Sequence, residues 1–219
     1  MRNEPPFIGR GWPQRPVLAL VVDADSTQGD RGLAVAKACA EGVDWLQLRE
    51  RDLEGAAWLD WAMTLSAHLR AQAPKTRIVV NRRLDLALAL GADGVHLGSN
   101  AVSPEDARAL LGEDALVGVS LHALGEIPGL SQAADYVHLA PIHPPNSKAA
   151  TRPELGPGPL AQACAGEMPV IAQGGMDARR SPEALRCGAA GVAVTGAILH
   201  AASPALAAAE LRTALDTPS

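Results

Sequence analysis

The chain is short of aromatic side chains, with one Tyr, one Phe and four Trp among 219 residues. That scarcity argues against the stacking platforms that hold single-stranded nucleic acid. Basic charge is also in deficit: 19 Lys and Arg stand against 24 Asp and Glu, for a net charge of −5. No global positive field is therefore available to attract nucleic acid or an anionic membrane surface. The three cysteines, Cys39, Cys164 and Cys187, are odd in number and widely spaced. They form no CxxC pair and no zinc-finger spacing, and they read as small buried hydrophobes in a reducing compartment. No apolar run approaches the roughly 18 residues of a membrane span. The first sixteen residues hold four prolines and no apolar stretch of the secretory type. Together these absences predict a cytoplasmic protein with neither a nucleic-acid nor a membrane partner.

What is present is a core-forming composition, 47% hydrophobic and 20% charged, in which Ala, Val and Leu supply most of the core. After a Pro-rich arm at 1–16, short β-like runs recur at Val17–Val22, Asp44–Leu48, Ile78–Asn81, Gly94–Leu97, Leu116–Ser120, Tyr136–Ala140, Val170–Ala172 and Val192–Val194. Helical patterns lie between them, the clearest at Trp58–Leu69, Leu84–Leu90, Pro104–Leu111, Pro182–Arg186 and Pro204–Leu215. The patterns after Leu121 and around Leu160–Cys164 are weak. Ser103 and Ser181, each followed by proline, read as helix N-caps, and Gly91, Gly112 and Gly188 as helix stops. Eight strands alternating with helices, at about 25 residues per unit, predict a single (β/α)₈ TIM barrel over 17–219 rather than an open sheet. An internal echo supports the repeat. The segments 42–48, 91–97, 133–139 and 188–194 each run from a helix stop through a small or acidic residue into a strand.

Strand alternation assigns faces. The apolar residues of each strand should meet the helices. Gln47, Arg49, His96, Gly98, Gly118, Ser120, His122 and His138 should then point to the barrel axis. Barrels of this kind place their chemistry at the C-terminal mouth. The candidates there are Gln47, Arg49 and Asn81 for oxygen-rich substrate groups, and Ser120 beside His122, an imidazole able to move protons near neutral pH. Ser147 and Lys148 lie in a long Pro- and Gly-rich loop. Gly174-Gly175 and Thr195-Gly196 end the last two strands, where barrels commonly cradle phosphate on backbone N–H groups. Read alone, a glycine pair also suits a plain tight turn, and Arg49 also suits an internal ion pair.

Seven segments in combination resemble the thiamine phosphate synthase and thiazole tautomerase superfamily. They are Gln47–Arg51, Asn81–Leu88, Gly91–Gly98, Gly118–His122, Asp135–Pro141, Gly174-Gly175 and Gly188–Ile198, and the likeness spans about 18–201. The resemblance implies the (β/α)₈ barrel, a ligand from the thiamine pathway (a thiazole phosphate) and room for a homo-oligomer. In the synthase branch, pyrophosphate departure needs Mg²⁺ held by carboxylates. One follows the Asn that ends strand three, and the other lies just past the strand-four glycine. Here those places hold Arg82 and the acid-free stretch 99–101. Because Mg²⁺ prefers carboxylate oxygens, and because His122 follows Ser120 as in the tautomerase branch, the sequence reads as a metal-independent thiazole tautomerase. Its catalytic residue would be His122, shuttling a proton, it would need no cofactor, and its phosphate would rest on Gly174, Gly175, Thr195 and Gly196. The alternatives are a Mg²⁺-dependent thiamine phosphate synthase and a non-catalytic thiazole phosphate-binding regulator.

Overall fold

The computed structural model describes residues 12–129, 132–144 and 152–217. These residues form eight parallel strands in a closed barrel, each hydrogen-bonded to the next in sequence and β8 closing on β1. In chain order they are β1 (Val17–Val22), α1 (Asp30–Ala40), β2 (Trp45–Leu48), α2 (Gly55–Gln72), β3 (Arg77–Asn81), α3 (Leu84–Leu90), β4 (Gly94–Leu97), α4 (Pro104–Leu111), β5 (Leu116–Leu121), β6 (Tyr136–Leu139), α5 (Pro157–Ala163), β7 (Val170–Gln173), α6 (Ser181–Arg186), β8 (Gly191–Val194), α7 (Gly196–Leu199) and α8 (Pro204–Asp216). The expected strands are all present, displaced by no more than a residue at their ends. Where the weak pattern after Leu121 lay, the chain makes a 3₁₀ stretch at Leu124–Gly129. Gly125, Pro128 and Gly129 disfavour a full helix there.

Local chemistry sets the boundaries. Ser103 caps α4, its hydroxyl accepting from Asp106 N at 3.1 Å, and Gly91 closes α3 in the left-handed conformation at φ 64°. Ser181 differs from its expected role. It is the first residue of α6, which has no side-chain cap; its hydroxyl donates to Asp177 O, and the Asp177 carboxylate accepts from Arg179 N and Arg180 N in the turn before the helix.

The internal echo has a physical basis. Asp44, Asp93 and Asp135 immediately precede or begin the approach to β2, β4 and β6. Their carboxylates accept from the first free N–H groups of the neighbouring odd strands, Leu18 N at 2.9 Å, Ile78 N at 2.8 Å and Val117 N at 2.8 Å. The same joint is thus made three times at the lower end of the barrel. In the fourth copy Ala190 stands at that place and keeps only the backbone bond, Val17 N to Ala190 O, which Asp44 O and Asp93 O also make to Arg77 N and Leu116 N.

Two apolar clusters divide along the alternation. The larger contains Leu46, Leu48, Val95, Leu97, Val117, Val137 and Leu139 and fills the layer between strands and helices. The smaller lies inside the barrel and comprises Val17, Ala19, Val21, Trp45, Val79, Leu116, Tyr136, Ile171 and Ala193, with Trp12 packed against it. The ring centroids of Trp12 and Trp45 are 5.0 Å apart, and those of Trp45 and Tyr136 are 4.7 Å apart. The polar interior expected from sequence is therefore only the upper half. Below it lies an aromatic plug, and the end of the N-terminal arm seals it. All three cysteines are free. Cys39 is buried, as expected, but Cys164 and Cys187 are only partly so.

Candidate functional site

Above the plug the same inward parity continues as polar side chains. Gln47, Asn81, His96, Ser120, His138 and Gln173 occupy the upper turns of β2 to β7. The His96 and His138 rings are nearly in contact, with centroids 4.1 Å apart. They meet because Gly118 lies between them on β5. A Cβ there would come within 2.6 Å of His96 Nδ1 and within 2.5 Å of the Tyr136 hydroxyl. His96 Nε2 is 2.8 Å from Ser120 Oγ, and Nδ1 is 3.3 Å from Tyr136 Oη. One nitrogen donates and the other accepts, and either hydroxyl can complement it. Burial, then the neighbouring His138 and Arg49, push the His96 pKa well below its ordinary value. Burial also lowers His138 to about 4, although Gln173 opposes the shift. Both rings are therefore neutral near pH 7.

Two atoms of this layer have no partner. His138 Nδ1 donates to Gln173 Oε1 at 3.2 Å, which leaves Nε2 a buried acceptor with nothing to accept from. Gln47, 3% exposed, has a buried amide nitrogen with no acceptor. An unmet buried polar atom costs about 1–3 kcal/mol, so a donor and an acceptor stand ready for a polar ligand.

The rim carries the charge. Arg49 and Arg51 follow β2, and Arg82 follows β3. Burial lowers the Arg49 pKa from its ordinary value. Arg51 and Arg82 lower it further, and Asp23 opposes them. The expected alternative, an internal ion pair for Arg49, is not found among the described residues. Glu50 is committed elsewhere. Its carboxylate accepts from the N–H groups of Ala24, Arg51 and Asp52, at 2.8, 2.5 and 2.5 Å, and from Leu53. Burial alone would raise Glu50, but these N–H groups outweigh it and hold the carboxyl below its usual value. Sequence reasoning missed Glu50. Its signal, an acid heading a turn ahead of α2, is too common to single out.

His122 is exposed on the rim, its Nδ1 2.9 Å from Ala140 O, which orients Nε2 as an acceptor. Gly174 and Gly175 adopt φ 92° and 60°. The segment leaving β6 crowds them: a Cβ on Gly174 would approach Pro141 Cα to 2.7 Å, and one on Gly175 would approach His143 Cβ to 2.8 Å. The pair is thus required by close packing. The Arg180 guanidinium donates to Gly175 O and braces the turn. Thr195 is exposed and Gly196, which starts α7, is half-buried. The structure therefore brings Gln47, Arg49, Asn81, Ser120, His122, Gly174, Gly175, Thr195 and Gly196 to one end of the barrel. Ser147 and Lys148 lie outside the described residues.

A family model described as thiamine monophosphate synthase matches residues 18–198. The chain belongs to this family. A Geobacter sulfurreducens protein assigned provisionally as a thiamine-phosphate synthase is 40% identical over 192 residues, covering 85% of this chain and 88% of its own. The thiamine-phosphate synthase of Chlorobium limicola is 35% identical over 201 residues, covering 91% and 93%. Among solved structures, thiamine phosphate pyrophosphorylase from Pyrococcus furiosus superposes with a TM-score of 0.77 at 25% identity, covering 91% of this chain and 95% of its own.

These relatives overturn the tautomerase expectation. They are named as synthases, which are transferases, and not as isomerases. The expectation rested on His122 and on missing carboxylates. The missing carboxylates concern what neutralises the leaving group and not which bond is made, and His122 is exposed at the rim with its ring held by Ala140 O.

The Mg²⁺ implied by the family can be tested against the donor set. Among the described residues no group of three or more His, Cys, Asp or Glu side chains could hold a metal ion. The two rim carboxylates nearest Arg49 are engaged, Glu50 as above and Asp23 by the backbone N–H of Ser26 at 2.9 Å. At the end of β3 the side chain is a guanidinium. The residues present do not fit a divalent cation. No helix of the described residues is long and apolar enough to cross a membrane.

Proposed function

We propose that the protein is a thiamine-phosphate synthase, joining a hydroxymethylpyrimidine pyrophosphate to a thiazole phosphate. The thiazole nitrogen forms a C–N bond to the pyrimidine methylene carbon, the C–O bond to the pyrophosphate breaks, and pyrophosphate leaves with the bonding pair. The observation that carries this reading is the 35–40% identity to named synthases over nearly the whole chain, on a barrel whose mouth divides into matching parts. Arg49 and Arg51 face the pyrophosphate, as guanidinium forks suit phosphate oxygens. The unmet donor of Gln47 and acceptor of His138, with Asn81 and Ser120, are offered to the heteroaromatic ring. Gly174, Gly175, Thr195 and Gly196 take the thiazole phosphate on backbone N–H groups. The protein works in the cytoplasm, in keeping with three unpaired thiols.

Purified protein incubated with both precursors should release pyrophosphate and form thiamine phosphate in equal amounts, followed by a coupled pyrophosphate assay and chromatography. Absence of both products, with and without Mg²⁺, would refute this assignment.

A further inference from the structure

The rim of the barrel is built for a polyanion and against a cation. Arg49 and Arg51 follow β2 and Arg82 follows the adjacent strand β3, and burial, then the charges of Arg51 and Arg82, lower the Arg49 pKa. No hydrogen bond or ion pair among the described residues engages any of the three guanidinium groups. Elsewhere in the fold arginines are spent: Arg15 and Arg212 on Asp44, Arg83 on Asp85, Arg108 on Asp135. Arg82 is the most unusual of the three rim arginines. Among the described residues it is the one non-glycine residue with positive φ, at 66°. Its N–H donates to His96 O at 3.0 Å, and the next N–H, of Arg83, donates to Asn81 O at 2.8 Å. Its side chain extends over the end of β4, where a Cβ on Gly98 would lie 3.9 Å from Arg82 Cδ. The backbone is thus pinned in a disfavoured conformation while the guanidinium at its tip is left without a partner. Strain of this kind persists where surrounding structure imposes it and is concentrated at ligand sites.

We propose that this barrel binds the diphosphate group of its substrate as the metal-free anion, with the Arg82 guanidinium supplying the positive charge that a divalent cation would otherwise bring. The identity of the anion rests on the transferase reading above; the absence of a metal requirement rests on the rim itself. Three guanidinium groups without a hydrogen bond or ion pair among the described residues gain from a multiply charged anion without a bridging ion. A Mg²⁺ ion carried in on that anion would instead meet a guanidinium at the end of β3.

Isothermal titration of the whole chain with inorganic pyrophosphate, in EDTA and then in excess Mg²⁺, tests this without turnover. Wild-type protein should bind in EDTA, and Mg²⁺ should leave the affinity unchanged or weaken it by competing for the free anion. Arg82→Gly suits the positive φ and so keeps the backbone. It should weaken binding in EDTA by about tenfold or more, the loss of one charge-assisted contact. Arg82→Asn, which also tolerates this conformation, should behave alike, and thermal melts verify that both fold. Tightening by Mg²⁺ of more than about threefold, or variant binding within about threefold of wild type, overturns the proposal. Metal-free pyrophosphate binding in a protein that makes no thiamine phosphate would instead refute the transferase reading alone.

Discussion

At the lower end of the barrel, charge is paired and apolar surface is closed. Asp135 takes the Arg108 guanidinium at 2.7 Å and the Val117 N–H at 2.8 Å, Asp44 takes both Arg15 and Arg212, and Trp12, Trp45 and Tyr136 stack across the opening. At the upper end the same strands, two residues further on, leave Gln47 Nε2 and His138 Nε2 unmet and three arginines unpaired. The backbone ladder is continuous through both halves, so the difference is one of side chains alone. In the lower half Asp44, Asp93 and Asp135 complete joints between strands, although Arg108 Nε and Arg212 Nε are left without partners there. In the upper half polar groups are exposed to one another at a cost of several kcal/mol, and that cost is repaid only when something binds. Stability and function are thus separated along the barrel axis. Substitutions at the two ends should fail in different ways.

The largest effect is expected at the lower end. Asp135→Ala removes the carboxylate from Arg108, which is 8% exposed, and orphans the Val117 N–H. Arg108 keeps its carbonyl partners Gly112 O, Glu113 O and Ala133 O, so the cost should sit near the lower bound for breaking a buried pair, about 3 kcal/mol. Urea unfolding measures it. Turnover per folded molecule should stay at the wild-type level. A drop in turnover at full folding would erase the division between the two ends.

In the upper half the neutral imidazoles should show themselves in acid. His138 is faced by His96 from β4, by Tyr136 on its own strand and by Gln173 from β7, and Arg49 lies near His96. Its folded value of about 4 lies below the unfolded 6.5, so the unfolded chain binds the proton more readily. The stability is whole above about pH 6.5 and drains away as pH falls towards 4. About 3 kcal/mol is at stake from this residue. His138→Gln should remove that part of the acid limb, read from unfolding midpoints between pH 7 and 4. An unchanged pH profile would mean that the ring is already protonated or solvated, and the upper layer would no longer be the uncharged floor described here.

How much of this was legible in the sequence varies with the physics. The strands were, because two-residue alternation bounded by glycine stops is a local signal. Helix α1 was not. Its buried side is Val35, Ala36, Ala38 and Cys39, small residues with weak contrast. Gly32 interrupts the pattern, and a Cβ there would lie 3.1 Å from Thr27 O. Trp45 and Tyr136 share parity with Gln47 and His138, so the aromatic plug was readable. It lies in the N-terminal half of the strands, away from the mouth where barrels place their chemistry. The mouth residues were found one by one, since a barrel collects strand ends at one place. The contact between His96 and His138 was not, because it passes across β5 through the space left at Gly118. The reaction was not legible, because missing carboxylates at 82 and 99–101 do not say which bond is made, whereas relatives at 35–40% identity are named as synthases.

The smallest effect on stability should come from Arg82, and its sign is the sharpest test of the comparison. A residue held at φ 66° pays about 1–2 kcal/mol for the left-handed conformation when it is not glycine. Arg82→Gly returns that strain and the repulsion from Arg49, less the extra freedom a glycine gives the unfolded chain. The net should be a gain of about 0.5–1 kcal/mol, seen as a raised urea midpoint, in the same variant that loses affinity for pyrophosphate. Asp135→Ala should move the two quantities the other way, losing stability and keeping the ligand. If Arg82→Gly were instead destabilised, the arginine would be a structural clasp over β4. The rim would then belong with the paired charges of the lower end rather than with a site that trades stability for binding.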